Sequence, residues 1–291
     1  MNIKIIDSHA FDEPIYQLLG QYLIQHHLPT IGFYHIIAIH NHMIIALGML
    51  YQKKRHPHRD YVLLHDVQNN LEPALFSRFI SHLENNSKQR KLQYLLDSKD
   101  THLSQLLELH HFKIARQTFL IELNRLQLIA PNAKPVRTKN LNQLSIPEWH
   151  ELKALFHSNY NQYHASVNGL AKDVCSEHLF NHLENINQEH SKILLNHHQP
   201  NHYGSMPCIM AYMLIGNSDK DSIEVAYLGG REESHLNDYL VFFQHAFKAL
   251  HQRYKTIYFE ADDTDYYAFS LVKELNYDLS NPFYTLIKDI N

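Results

Sequence analysis

Apolar positions along the first half of the chain follow two different spacings. Residues 14–24 place Ile15, Leu18 and Leu19 three or four positions apart, the spacing that puts side chains on one face of a helix. Residues 43–51 instead form a nearly continuous apolar run, which indicates a buried strand. The same analysis predicts helices at 14–24, 73–83 and 101–109, and strands at 3–6, 34–39, 43–51, 61–67, 91–96 and 117–123.

The second half repeats this order of elements. The pattern predicts helices at 147–158, 173–183, 236–251 and 265–275, and strands at 192–195, 209–215, 223–228, 255–260 and 283–287. Strands and helices mix without strict alternation, which predicts an α/β fold of the α+β kind with mixed sheets. Residues 48–68 align in pattern with 211–231, and 100–112 align with 265–277. We therefore interpret the chain as two copies of one unit.

The predicted boundary between the two copies lies near the middle of the chain. Pro131 and Pro135 frame small residues without periodicity, and this composition is typical of a linker. We therefore expect an N-terminal domain at 1–128 and a C-terminal domain at 136–291. Each should be a mixed, mostly antiparallel sheet flanked by helices.

Composition excludes several classes of protein. Hydrophobic residues make up 44% of the 291 positions and charged residues 19%, which is typical of a globular chain. The net charge of -4 leaves no basic excess for nucleic acid. Cys175 and Cys208 are too few for a disulfide framework, and the first residues lack the pattern of a signal peptide. The longest apolar run is too short to span a membrane, so we expect a cytoplasmic protein without a membrane partner.

Histidine is unusually abundant, with 25 residues in the chain. The pairs His178/His182 and His198/His202 have the spacing that puts two imidazoles on one helix face, but scattered histidines would give about as many pairs by chance. The best cluster adds Cys175 to the first pair. Neither a zincin pattern nor a Cys-x-x-Cys knuckle accompanies it, so we expect no metal site.

Two aligned segments join the end of a predicted strand to the start of a predicted helix. They are Arg231-Glu232-Glu233-Ser234-His235-Leu236 and Gln68-Asn69-Asn70-Leu71-Glu72-Pro73. A helix N-terminus offers unpaired N–H groups and partial positive charge, which suits a phosphate. With the order of elements, these segments resemble the GNAT acetyltransferase superfamily, and the two units resemble its tandem members over nearly the whole chain. In that family, a segment with the pattern Arg/Gln-x-x-Gly-x-Gly/Ala lies between this strand and this helix and holds the pyrophosphate of acetyl-CoA.

The resemblance implies an acetyl-CoA-dependent N-acetyltransferase whose active site lies in the C-terminal domain. In the first segment Leu71 and Pro73 replace the two small residues and Glu72 would repel a pyrophosphate, so we expect the N-terminal domain not to bind acetyl-CoA. The second segment keeps Arg231 and a small residue at Ser234. The residues expected to hold acetyl-CoA are Tyr227, Leu228, Gly229, Gly230, Arg231, Ser234, His235, Leu236 and Asp265.

The resemblance also implies residues for catalysis. Glu224 lies on the strand that often carries the general base in the family, and the other candidates are Glu260 and the acidic run Asp262-Asp263-Asp265. Val272 stands where the family has its acidic Tyr, and Asn276-Tyr277 replaces Gly-Phe. Tyr266 and Tyr267 lie one turn earlier, and Tyr267 is the substitute that we expect to protonate the leaving thiolate. The stretch after the first helix of this domain would line the acceptor pocket, through Tyr160, Tyr163 and His164.

The acceptor implied by the resemblance is an amine of a small molecule or a peptide, and the sequence specifies neither it nor the oligomeric state. A competing interpretation is a catalytically inactive tandem GNAT-like protein that serves as a binding module or scaffold, because both loops and the signature Tyr depart from the family pattern. Aminoacyl transfer by paired domains of this fold is a third interpretation, disfavoured by the absence of a basic excess. Binding of acetyl-CoA separates the first two.

Overall fold

The computed structural model describes residues 3–67, 71–124, 137–181, 183, 186–196 and 208–290. The predicted linker at 129–135, His182 and the pair His198/His202 lie outside the described residues, as do Gln68, Asn69 and Asn70.

Helices and strands in the described residues follow the predicted order. The helices are α1 (Glu13–Gln25), α2 (Pro73–Asn86), α3 (Thr101–Leu109), α4 (Ile146–Tyr163), α5 (Ala165–Asn168), α6 (Ser176–Asn181), α7 (Leu236–Leu250) and α8 (Tyr266–Glu274). The strands are β1 (Lys4–Asp7), β2 (Tyr34–His40), β3 (Met43–Lys53), β4 (His56–Asp66), β5 (Lys91–Asp97), β6 (Lys113–Asn124), β7 (Thr138–Asn140), β8 (Lys192–Leu195), β9 (Ile209–Ser218), β10 (Ser222–Gly230), β11 (Thr256–Asp262) and β12 (Phe283–Asp289).

Contacts along the chain define two compact units. Unit 1 holds the residues up to Ala115, the short segment Asn168–Ala171 and the residues from Phe283 onward. Unit 2 holds Arg116–Val167 and Lys172–Pro282. This division differs from a cut at 1–128 and 136–291, because β12 belongs to unit 1 and β6, from Arg116 onward, belongs to unit 2. Backbone pairing is the reason, since each of these strands completes the sheet of the other half of the sequence.

The sheet of unit 1 has the strand order β1-β2-β3-β4-β5-β12. Its neighbours pair antiparallel except β4 and β5, which run parallel and are in register only at Asp60↔Leu92 and Tyr61↔Gln93. Helices α2 and α3 pack on one face and α1 on the other. The buried residues of these two layers include Ile36, Phe79, Leu83, Leu107 and, on the α1 side, Leu19, Leu23 and Leu47.

The sheet of unit 2 has the strand order β6-β11-β10-β9-β8-β7. Its parallel pair is β10 with β11, in register from Ser222↔Thr256 to Val225↔Phe259. Helices α7 and α8 cover one face with a large aromatic core, and α4 packs on the other face over β9 and β10. The buried residues under α7 and α8 include Ile223, Val225, Phe243, Phe247, Ile257 and Leu271.

Helix ends explain why the two aligned segments fold alike. Asp100 accepts a hydrogen bond from the Leu103 amide at the start of α3, and Asp265 does the same for Ala268 at the start of α8. After each helix the chain turns through a left-handed residue, His111 with φ 64° and Asn276 with φ 50°. The pattern of 100–112 and 265–277 therefore encodes the same capped helix twice.

Among the described residues, no helix combines the length and the apolar character that a membrane span requires.

The placement of β12 in unit 1 can be tested by mutation. Leu286 on β12 is 3% exposed and packs in the core of unit 1, so Leu286→Ala should destabilise that unit by about 3 kcal/mol. We expect amide hydrogen exchange to accelerate in α2 of unit 1. The matched control is Leu250→Ala, because Leu250 is 4% exposed in the core of unit 2. Faster exchange in α7 but not in α2 for Leu286→Ala would contradict the assignment.

Candidate functional site

Each unit contains a gap where its two parallel strands stop pairing. In unit 1, β4 and β5 separate after Tyr61 and Gln93, and in unit 2, β10 and β11 separate after Val225 and Phe259. We call these gaps the wedge of unit 1 and the wedge of unit 2. The separated strand edges carry main-chain N–H and C=O groups that need partners. What fills each wedge therefore determines what each unit can bind.

The wedge of unit 1 holds a cavity of about 130 Å³. Apolar and titratable side chains from β4, β5 and the start of α3 meet there. The lining residues are Leu64, His65, Asp66, Leu71, Tyr94, Asp100, His102 and Leu103. Three leucines and Tyr94 therefore share the recess with two histidines and two aspartates, so it offers both apolar and titratable groups to a small molecule.

His65 is the group in this cavity best suited to take up a proton. Its Nδ1 atom lies 2.6 Å from the hydroxyl oxygen of Tyr22 on α1, and its ring centroid lies 4.7 Å from that of His26, with the two rings tilted by 49°. Burial, and then the neighbouring His26, lower the pKa of His65, whereas burial raises the pKa of Tyr22 to about 12. At neutral pH the imidazole is therefore uncharged and held in place by a protonated phenol.

The other polar groups of the cavity are fixed by local hydrogen bonds. Asp100 caps α3, and the Nε2 atom of His102 lies 3.1 Å from the carbonyl oxygen of Leu71. Tyr94 is 9% exposed, and burial, followed by the charge of Asp100, raises the pKa of its phenol. Tyr94 therefore keeps its proton at neutral pH.

The start of α2 lies next in sequence to this cavity. Pro73 occupies the first turn, and the side chain of Glu72 makes no capping hydrogen bond. The amides of Ala74 and Leu75 follow in that turn, where an α-helix has no carbonyl partner for its N–H groups. Leu71, which the sequence identifies as a departure from the small residues of the family, is 8% exposed and forms part of the cavity wall.

The wedge of unit 2 is filled by the chain itself. Only about 10 Å³ of space remains among its lining residues. The Tyr163 hydroxyl, from the end of α4, donates a hydrogen bond of 2.7 Å to Glu233, and His164 lies 3.4 Å from Asp262 and 3.3 Å from Asp265. Tyr160 packs its ring 5.1 Å from the ring of His164. The three residues expected to line an acceptor pocket thus close the wedge.

The positive charge on His164 stabilises the arrangement of side chains that fills the wedge of unit 2. Burial alone would lower the pKa of His164, but the hydrogen bonds and charges of Asp262 and Asp265 raise it to about 9. Burial alone would raise the pKa of Asp262, but His164 and Arg116, whose Nη1 atom lies 3.0 Å away, lower it. The imidazolium and the two carboxylates form a largely buried ion cluster at neutral pH.

The glycines of the expected acetyl-CoA site lie against aromatic side chains. A Cβ atom on Gly229 would lie 2.4 Å from the amide nitrogen of Asn159 and 2.5 Å from the hydroxyl of Tyr212. A Cβ atom on Gly230 would lie 2.3 Å from the ring of Tyr239. These positions need glycine because the chain's own side chains approach so closely.

Arg231 of the expected phosphate loop contacts other parts of unit 2. Arg231 forms an ion pair with Glu151, its Nε donates to the carbonyl oxygen of Ile209 at 2.8 Å, and its amide donates to Met210 at 2.8 Å. The expected acetyl-CoA site at these positions stays a prediction. Among the remaining expected residues, the ring of Tyr227 lies 5.0 Å from that of Phe156, and Leu228 is buried. Ser234 and His235 are exposed, and Leu236 is the first residue of α7. Asp265 lies beside His164.

The two expected catalytic residues lie outside any open part of the wedge of unit 2. Glu224 is exposed on β10 before the strands separate, and the Asn217 side chain donates to it at 3.2 Å. Tyr267 is 1% exposed, and burial raises its pKa to about 12. The sequence pattern does not single out His65 and Tyr94, which line one cavity although they lie on different strands.

Comparison with solved structures identifies the fold. No family model and no curated protein matches this chain. A GCN5-related N-acetyltransferase from Sphaerobacter thermophilus is similar, with a TM-score of 0.64 and 12% identity over 99% of this chain and 96% of that chain. A tandem GNAT protein from the clavulanic acid biosynthesis pathway has a TM-score of 0.54 and 6% identity over 100% of this chain and 99% of that one. A probable N-acyltransferase from Enterococcus faecalis has a TM-score of 0.53 and 9% identity over 99% and 72%.

The chain therefore has the GNAT acetyltransferase fold in two tandem units, each with a mixed, mostly antiparallel sheet flanked by helices. The predicted fold class is confirmed. Within the part of the chain that the structure describes, no group of three or more His, Cys, Asp or Glu residues could hold a metal ion.

The charge of His164 gives a pH-dependent prediction. Nuclear magnetic resonance of the histidine rings should show His164 titrating with a pKa of about 9. Because this value lies above the ~6.5 of an unfolded chain, the stabilisation is fully present below pH ~6.5 and is lost as pH rises through about 9. Asp262→Asn should lower the pKa of His164, whereas the exposed Glu274→Gln should not. An unshifted His164 in the wild-type protein would contradict the ion cluster.

Proposed function

We propose that the protein is an acyl-CoA-dependent N-acyltransferase that takes its acyl donor in the wedge of unit 1. The main observation behind this proposal is the cavity of about 130 Å³ between β4 and β5. The equivalent position in unit 2 is filled by side chains. This proposal moves the donor from the C-terminal domain, which the sequence favours, to the N-terminal one.

Three features of unit 1 support binding of an acyl-CoA. Beyond Tyr61 the main chain of β4 is no longer in register with β5, and a strand edge that has separated from its neighbour suits an amide-containing arm. Leu64, Leu71 and Leu103 supply apolar contacts. The first-turn amides of α2 and its helix dipole suit the pyrophosphate.

The polar residues of the cavity fit an amine acceptor. When bound, acyl-CoA would supply a thioester carbonyl that an amine nitrogen attacks, releasing a thiolate. Asp66 and Asp100 favour the approach of an ammonium ion, and the uncharged His65 can remove its proton. Tyr94 retains a proton that it can donate to the leaving sulfur. The acceptor is a small-molecule or peptide amine in this proposal.

A second candidate function is a binding module without catalysis. The filled wedge of unit 2 favours it, because Tyr163 and His164 occupy the space that a donor would need there. For the C-terminal unit to be the catalytic one, both side chains would have to leave the wedge and Arg231 would have to leave Glu151.

Calorimetric titration of the full chain with acetyl-CoA tests the proposal. We expect micromolar binding by the wild-type protein. Leu64→Trp should weaken it at least about tenfold, because the larger side chain fills the cavity. Leu109→Trp is the matched control, since Leu109 is 73% exposed on α3. Thermal unfolding of each variant shows whether the fold is retained.

Two outcomes would overturn the assignment to unit 1. The first is that folded Leu64→Trp binds acetyl-CoA like the wild type. The second is that Ser234→Glu, which adds a negative charge at an exposed position before α7, abolishes binding, because the donor would then lie in unit 2. If the wild-type protein does not bind acetyl-CoA at millimolar concentration, the acyltransferase proposal fails and the binding module remains.

A further inference from the structure

Unit 2 leaves part of one sheet face uncovered. On β11 the side chains of Ile257 and Phe259 are buried under α7 and α8, whereas Tyr258 between them is 42% exposed on the opposite face. On β6, Leu120 is 53% exposed between buried neighbours. Large apolar side chains that are exposed next to each other on a protein surface indicate a binding site.

Carboxylates flank these apolar side chains in the sheet. Tyr258 is paired with Glu122 on β6 and with Glu224 on β10, so the phenol ring lies in a row between two acidic positions. In the next row Glu260 is paired with Leu120. Directly paired side chains in a sheet lie close enough to contact one ligand together.

These residues line a groove of about 460 Å³. Its residues are Leu120, Ile121, Asn217, Ser218, Asp219, Ser222, Glu224, Tyr258, Phe259 and Glu260. The volume falls in the range of small-molecule sites, roughly 300–1,000 Å³. A single small ligand therefore fits the groove better than an extended chain.

The electrostatics of the groove favour a cation. Glu224 is oriented by Asn217, and Asp219 lies at the turn that enters β10. Although the Glu260 side chain is exposed, partial desolvation of its carboxyl group, followed by the negative charges of Asp262 and Glu224, raises the pKa of Glu260, and Arg116 acts in the opposite direction. A bound cation would relieve this repulsion between carboxylates.

We propose that this groove binds a small organic amine in its ammonium form, with the charge between Glu224 and Glu260 and an apolar body against Tyr258 and Leu120. An ammonium ion is attracted by a phenol face as well as by carboxylates. The groove shares no residue with the lining of the wedge of unit 1, and the proposal goes beyond acyl transfer because it does not depend on where acyl-CoA binds.

Three probes of one shape test the charge requirement. Benzylamine, benzyl alcohol and benzoate carry the same ring with a positive, a neutral and a negative group. We expect calorimetric titration of the full chain, without acyl-CoA, to show benzylamine binding at least about tenfold more tightly than benzyl alcohol, and benzoate not binding. Benzylamine binding should weaken as salt concentration rises.

Variants of exposed side chains test the position of the site. Glu260→Gln and Tyr258→Ala should each weaken benzylamine binding about tenfold, and both positions are exposed, so the fold should be retained. Glu274→Gln, an exposed carboxylate on α8 outside the groove, should bind as the wild type does.

The proposal is overturned by any of three results: no benzylamine binding, equal binding of benzyl alcohol, or full affinity in Glu260→Gln and Tyr258→Ala. Leu64→Trp separates this proposal from the previous one. Retained benzylamine binding in that variant, together with lost acetyl-CoA binding, supports both sites. If the wild-type protein binds benzylamine but not acetyl-CoA, the result supports the amine site in the groove and not the acyl-CoA site.

Discussion

The short parallel pairing of two strands in each unit is the constraint from which the chemistry follows. β4 pairs with β5 over two residue pairs, and β10 pairs with β11 over four. Beyond them the strand edges separate, and their main-chain groups need other partners. Unit 2 places large side chains of α4 in the gap, whereas unit 1 leaves a cavity between leucines, histidines and carboxylates. The same fold thus gives one closed unit and one open unit.

The closed wedge is held by charge as well as by packing. His164 lies between Asp262 and Asp265, and all three are largely buried. Removing the imidazolium would leave two carboxylates close together in a poorly solvated place, which is unfavourable. Arg116 and the hydroxyl of Thr118 also bind Asp262, so the cluster is tied to β6.

The order of elements could be predicted from the sequence because periodicity and capping are local properties. Asp100 and Asp265 cap their helices through hydrogen bonds to residues three positions later, so the sequence alone predicts where these helices begin. The site depends on distances that local patterns do not contain. The helix predicted to end at 158 continues to Tyr163 and directs the next residue, His164, into the wedge. Gly229 matches a phosphate loop, yet it is required by Asn159 and Tyr212, far away in sequence.

The exchange of strands between the two halves has a consequence for synthesis of the protein. β5 pairs with β12 over seven residue pairs, from Phe283↔Asp97 to Asp289↔Lys91. A ribosome makes β12 only after it has synthesised every strand of unit 2. Until then β5 is an open edge, with buried residues such as Leu92 and Leu96 beside it, and open edges are sites of mispairing and aggregation. The sheet of unit 1, which is begun first, is therefore completed only after the chain of unit 2 has been made.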